Sequence, residues 1–338
     1  MTNRAILSTA TGGPETLVLG ELPVPVAGPG QLLVRTAAVA LNYPDALIIE
    51  DRYQVRPERP FAPGCELSGV VEAVGAGVEG FSVGDRIIAI KDFGALAECV
   101  AVDVSRAFRI PDAMPFDTAA ALLLTYGTTI YALASRAALK PGETLLVLGA
   151  SGGVGLAAVE LGKAMGATVV AGTSSPEKCA IATQAGADRT VVYPRGPFDK
   201  DQSKALAALF KDAVGAHGAD VVYDPLGGGY SEPAIRAIAW NGRFLVIGFV
   251  DGIAKLPLNL PLLKECSVVG TLWGEFTKRD PEGLRAQVDQ LFALWAAGKI
   301  KPYISEHYPF ERAADALADL GNRRAIGKLV VTVDPTLA

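Results

Sequence analysis

The stretch LLVLGASGGVGLAAVELGKAMGATVVAGTSS, Leu145 to Ser175, constrains the fold more than any other part of the chain. The apolar run Leu145–Leu148 breaks into Gly149-Ala150-Ser151-Gly152-Gly153-Val154-Gly155. A helix-forming run follows, and Thr168–Ala171 returns to strand composition. A strand, a tight turn, a helix and a second strand within about 30 residues bury their apolar faces best in a parallel sheet wrapped by helices. Read as A-x-G-x-x-G, Ala150, Gly152 and Gly155 take the three fingerprint positions. Gly152 lets an anion approach the backbone, and Gly155 lets the helix lie close on the strand. Gly153 and Val154 open the helix, where unpaired N–H groups and the positive dipole end favour a pyrophosphate.

A dinucleotide unit commonly places an acid on the ribose about 20 residues further on. Gly172, Thr173, Ser174 and Ser175 occupy that place, with no carboxylate among them. Hydroxyls accept an extra phosphate without repulsion, Lys178 follows one turn later to neutralise it, and Tyr193 adds a hydroxyl donor or packs near the ribose. The expectation is therefore NADPH over NADH. Ser174 and Ser175 also suit a helix cap before Pro176, and both readings can hold together.

The same rhythm extends on both sides. Thr190–Val192, Asp220–Tyr223 and Arg243–Phe249 read as further strands. Val154–Met165, Glu177–Ala185, Asp201–Val214 and Tyr230–Ala239 read as helices, giving an α/β doubly wound sheet. Residues 1–120 instead alternate short apolar runs with Pro and Gly, the texture of a barrel-like β domain. Beyond about Leu260 the elements are mixed, with a helix at Pro281–Gly298 and a closing strand at Gly327–Val333. A chain of 338 residues, half of them hydrophobic, suits two domains.

A net charge of −5 without a basic block gives no reason to propose nucleic acid as a partner. The opening MTNRAILSTATGG lacks the apolar core of a signal peptide. Thr118–Ser135 is uncharged for 18 residues, but its four Thr, Ser, Gly and two Tyr fit a buried helix better than a membrane span. Cys65, Cys99, Cys179 and Cys266 form no C-x-x-C pair and read as mostly buried, reduced thiols of a cytoplasmic protein. His217 and His307 have no partner pattern and read as surface or structural residues.

With these residues in view the chain resembles the medium-chain dehydrogenase/reductases, and within them the zinc-independent NADPH:quinone oxidoreductases. The resemblance runs through GGPETLVLGELPVPVAGPGQLLVRTAAVALNYPD, PGCELSGVVEAVGAGVEGFSVGDRI, the glycine cradle, GTSSPEK, VVYDPLGG, GRFLVIGF and the terminal GKLVV. It implies a GroES-like β-barrel catalytic domain built from residues 1–122 and 263–338. A Rossmann NADPH-binding domain is inserted at 123–262, with the active site in the cleft, and two copies form a homodimer through sheet edges.

Zinc-dependent relatives carry a Cys near the position of Asn42 and a His–Glu pair where this chain has Cys65-Glu66. Cys65 and Glu66 alone are too few for a catalytic zinc, so no metal is expected. Without one, a simple alcohol is hard to oxidise, whereas a quinone or other conjugated carbonyl takes hydride directly. Asn42 is the candidate holder of the nicotinamide carboxamide or the substrate oxygen, or else a turn Asn before Pro44. Tyr53 matches an active-site tyrosine of the family, or is an amphipathic surface residue. Thr128 matches a residue lining the nicotinamide pocket, or bonds its own helix backbone. Tyr43 is a weaker candidate. Gly248 and Phe249 should pass behind the nicotinamide, Arg323 (or Arg324) should near the cofactor phosphates, and Asp224 reads as structural. The alternatives are an NADPH-dependent enoyl thioester reductase, acting on a CoA or carrier-protein substrate, and a non-enzymatic NADPH-binding protein.

Overall fold

The computed structural model describes residues 2–322 and 325–337. The chain divides into two compact units, Met1–Leu124 with Pro302–Ala338, and Thr125–Lys301. The first segment runs β1 (Thr2–Ser8), β2 (Leu17–Pro23), β3 (Gln31–Ala40), α1 (Tyr43–Ile49), β4 (Glu66–Val74), β5 (Arg86–Ile90), β6 (Cys99–Asp103), β7 (Ala107–Arg109) and α2 (Phe116–Ala120). Helix α3 (Leu123–Ile130) straddles the division. The second unit continues with β8 (Thr144–Val147), α4 (Gly153–Ala164), β9 (Thr168–Thr173), α5 (Pro176–Gln184), β10 (Arg189–Val192), α6 (Lys200–Val214), β11 (Ala219–Asp224), α7 (Ser231–Arg236) and β12 (Ile238–Val246). It ends with α8 (Asn259–Lys264), β13 (Ser267–Gly270), α9 (Trp273–Arg279) and α10 (Pro281–Ala296); β14 (Ile304–Pro309), α11 (Ala313–Gly321) and β15 (Lys328–Thr332) return to the first unit.

In the first unit β3 is the hub, pairing antiparallel with β4, β6 and β15 in a sheet ordered β14-β15-β3-β4-β5-β7. Its opening residues alternate, with Leu32 and Val34 inward, and its later half is buried on both faces. Leu67, Val71, Ile87, Val100 and Val331 from the neighbouring strands close one apolar core around it. At Gly69 of β4 a Cβ would lie 2.1 Å from the Arg35 carbonyl, so only glycine permits this approach of the two strands.

The second unit carries a six-stranded parallel sheet ordered β10-β9-β8-β11-β12-β13. From β8 the chain winds outward through β9 and β10, then crosses back to β11 on the other side of β8. The order reverses between β8 and β11, and ligands of such sheets bind beyond the carboxyl ends of the strands at this switch point.

Several boundaries differ from expectation. Residues 263–301 belong to the second unit rather than the first, because β13 extends its sheet through Arg243↔Ser267 and Val246↔Gly270. The helix expected to Ala239 stops at Arg236, and β12 begins at Ile238, paired with Ala219. The strand expected to Phe249 ends at Val246, because the N–H groups of Ile247 and Gly248 both turn to the Asp224 carbonyl (3.0 and 3.4 Å). Thr118–Ser135 is broken: α2 ends at Ala120, α3 starts at Leu123, and a π-helical turn covers Tyr131–Arg136. No described helix is long and apolar enough to cross a membrane.

Candidate functional site

The glycine turn lies between β8 and α4. Gly149 takes φ +59°, which favours glycine, and its N–H donates to the Tyr193 hydroxyl at 3.0 Å. A Cβ on Gly155 would lie 2.2 Å from the Gly149 carbonyl oxygen and 2.8 Å from the Ala150 Cα, so this residue sets how closely α4 sits on the turn. A Cβ on Gly152 would make only ordinary contact, 3.5 Å from the Gly149 oxygen, leaving its outward side open. Gly152 is the N-cap in extended conformation and its side offers no cap, so the first-turn N–H groups at Gly153 and Val154 need an outside acceptor.

At the end of β9 the hydroxyl residues separate. Thr173 is 1 % exposed; its hydroxyl donates to the Ser175 carbonyl at 3.0 Å and lies 3.1 Å from the Cys179 sulfur. It shapes the turn rather than facing outward. Ser175 is the N-cap of α5, its Oγ accepting the Lys178 N–H at 3.4 Å. Ser174 and Lys178 are half-buried, and neither side chain makes a hydrogen bond or ion pair in the described residues. Burial, and next the charge of nearby Arg195, lower the Lys178 ammonium from its ordinary value. Arg195 escaped the sequence reading; its signal was only a cation two residues beyond Tyr193. Tyr193 itself is 4 % exposed, packed against Gly172 and under the turn, so its hydroxyl anchors Gly149 instead of reaching outward.

Asp224, at the end of β11, is buried and accepts the N–H groups of Leu226 and Gly227, both at 2.9 Å, and the Ser231 hydroxyl. It fixes the loop after β11, as expected of a structural acid. Gly248 and Phe249 follow β12 outside the strand, with Phe249 exposed. Arg323 and Arg324 lie outside the described residues.

The first unit holds a buried polar cluster that the sequence did not disclose. Lys328 of β15, 3 % exposed, donates its three ammonium protons to the Leu41 carbonyl (3.1 Å), Asn42 Oδ1 (2.6 Å) and Glu66 Oε1 (2.7 Å). Asn42 Nδ2 donates to Glu66 Oε1 (2.9 Å) and the Ala40 carbonyl (3.1 Å). Glu66 Oε2 accepts the Leu124 N–H at 2.8 Å, placing a carboxylate at the N-terminus of α3. Both amide protons of Asn42 are thus committed inside the protein. Asp45 accepts the Asn42 backbone N–H at 2.8 Å, and burial pushes its carboxyl up to about 7 against the lowering effects of that bond, the Cys65 thiol and Lys328. Burial, then Asp45 and Glu66, push the Cys65 thiol well above its ordinary range.

Two candidate hydroxyls have no such commitment. Tyr53 packs beside Ile48, Ile49 and Phe61, and its O–H has no hydrogen-bond partner among the described residues. Burial raises its pKa first, then Cys65 and Asp45. Thr128 on α3 is half-buried, also without a described side-chain partner. Its neighbour Thr129 behaves oppositely, donating to the Thr125 carbonyl at 2.7 Å and meeting the Tyr223 hydroxyl at 2.9 Å. Thr129, not Thr128, therefore bonds back to its own helix backbone. Tyr43 begins α1. His217 and His307 are exposed and pair with Asp220 and Asp117.

Known proteins resemble this chain along nearly all of it. Residues 28–112 match the family described as alcohol dehydrogenase GroES-like domain, and residues 153–290 that described as zinc-binding dehydrogenase. A quinone oxidoreductase-like protein 2 homolog of Nematostella vectensis is 35% identical over 331 residues, covering 97% of this chain and 88% of the relative. A Pseudomonas syringae quinone oxidoreductase structure matches with TM-score 0.86 at 31% identity, covering 98% of this chain and all of that one (100%). An Escherichia coli quinone oxidoreductase solved with NADPH matches with TM-score 0.88 at 27% identity, again over 98% and 100% of the two chains.

Proposed function

The chain belongs to the quinone oxidoreductase family of the medium-chain dehydrogenase/reductases, with a GroES-like and a Rossmann-type unit, and on that premise we propose that it is an NADPH-dependent reductase delivering hydride to a quinone or similar conjugated carbonyl without a metal. The observation that carries this reading is the acid-free turn after β9, with Ser174 and Lys178 uncommitted beside Arg195.

The residues present fit NADPH. First-turn N–H groups of α4 at Gly153 and Val154 hold the pyrophosphate, and Gly155 keeps the helix close enough for them to do so. Ser174, Lys178 and Arg195 hold the 2′-phosphate. Gly248 and Phe249 offer backbone to the nicotinamide, and Thr128 offers its free hydroxyl. Bound NADPH supplies a transferable hydride at the nicotinamide. Tyr53 keeps its proton at neutral pH, since its pKa is raised, and so donates a hydrogen bond to an acceptor oxygen as negative charge develops there. Asn42 works from behind: its amide is spent on Glu66, Lys328 and Ala40, and it holds α1 and β15 together.

The residues at 42, 65 and 66 do not fit zinc. Asn42 offers no anionic ligand, the Cys65 thiol is held protonated by burial, and Glu66 is occupied by an ammonium and two N–H donors. A second copy of the chain covers the free edge of β13, with its exposed Val268, and the exposed Leu258, Leu262 and Leu263 of the preceding α8 segment. The free thiols Cys65, Cys99, Cys179 and Cys266 suit a reducing, cytoplasmic setting.

The test is NADPH and NADH oxidation by the purified protein, with an ortho-quinone and with crotonyl-CoA in parallel. The reading expects turnover with NADPH and the quinone, reduced in Tyr53→Phe. Turnover confined to the thioester makes the protein an enoyl reductase, and preference for NADH removes the phosphate role of Lys178.

A further inference from the structure

Helix α6 carries Lys200, Lys204 and Lys211 at i, i+4 and i+11, a spacing that puts all three on one face over about 16 Å. That face looks into a groove of ≈ 820 Å³ between α6 and α7, far larger than any gap between packed helices. Lys255 and Arg236 stand on its other wall, and small residues, Ala207 and Gly229 among them, line it. Asp199 and Glu232 are the acids lining it. Asp199 is used as the N-cap of α6, accepting the N–H groups of Asp201 and Gln202, and Glu232 pairs with Arg236. The four lysines make no ion pair among the described residues, so their charges are uncompensated. Like charges at i, i+4 destabilise a helix, and nothing in the packing of α6 requires them: its core contacts come from Leu206, Phe210 and Val214.

We propose that this groove is a binding site for a chain of linked phosphates, inorganic or carried on a nucleoside. Its volume lies in the range of small-molecule sites, the lysines run in a line as such a chain does, and ammonium groups on flexible stems adapt to phosphate oxygens as point charges. The site is separate from the 2′-phosphate pair Lys178 and Arg195, which does not line the groove.

The experiment is calorimetric titration of the full-length protein with sodium tripolyphosphate and, separately, with ATP, each with and without saturating NADPH. Lys204→Glu/Lys211→Glu is compared with Lys140→Glu/Lys299→Glu, which reverses two exposed lysines elsewhere. The proposal expects tripolyphosphate to bind in the presence of NADPH, with affinity lowered at least about tenfold in the first variant and unchanged in the second. ATP binding more tightly than tripolyphosphate identifies a nucleotide ligand; equal binding identifies the phosphates alone. No binding to the NADPH-saturated wild type, or equal loss in both variants, overturns it. Failure to bind NADPH would refute the cofactor reading without touching this one, because dependence on Lys204 and Lys211 is read in either arm.

Discussion

Two residues, Gly155 and Lys328, illustrate how differently function is written into side chains. Gly155 was legible: its spacing announced a close approach, and a Cβ there meets the Gly149 oxygen at 2.2 Å. Gly155→Ala should cost about 1–3 kcal/mol of stability and weaken NADPH binding at least about tenfold, measured by denaturant unfolding and cofactor titration. Lys328 was illegible, because its partners Leu41, Asn42 and Glu66 lie more than 260 positions away in the chain and meet it only after the sheet forms. Lys328→Met leaves a buried carboxylate unpaired and should destabilise the protein by about 3–5 kcal/mol; adding Glu66→Gln should recover much of that loss. If the double variant is as unstable as the sum of the single ones, the two charges do not act as a pair. Asn42, Thr173 and Tyr193 show the same limit: their type and position were visible in the sequence, but not the internal groups that claim their polar atoms, Lys328 and Glu66 for Asn42, Ser175 for Thr173 and Gly149 for Tyr193.

At the scale of elements, the strand–helix alternation located β8 to β12 and the helices between them, but not α8, β13 or α9, and the ends of the elements it did find depended on contacts with no local signature. The early end of β12 follows from the Asp224 carbonyl, and the start of α3 from the Glu66 carboxylate. Helix α1 carries a consequence for pH. Asp45 lies within it, and burial raises its carboxyl to about 7, so the folded state binds a proton that the unfolded state has lost. Between about pH 4 and pH 7 this group therefore makes stability fall as pH rises. Asp45→Asn should flatten that decline, measured as unfolding free energy at several pH values. An unchanged slope would mean that Asp45 is ionised throughout.

For the whole molecule, the two-domain order was readable from the switch in rhythm near Glu143, but the return point was not. Residues 263–301 look mixed in sequence because β13 is a short edge strand whose assignment depends on pairing with β12. That edge, with Val268 and the exposed leucines of α8, should be the contact between two copies. Leu262→Lys/Val268→Lys should convert a dimer into a monomer in light scattering, and a wild-type protein already monomeric at micromolar concentration would refute this. The most direct test of the central claim is a single turnover: protein holding one equivalent of NADPH, mixed with an ortho-quinone in the presence of a zinc chelator. Complete loss of the reduced-nicotinamide absorbance, slowed when the transferred hydrogen is deuterium, is the predicted result. NADPH that stays reduced, or that is consumed only when the chelator is omitted, would contradict it.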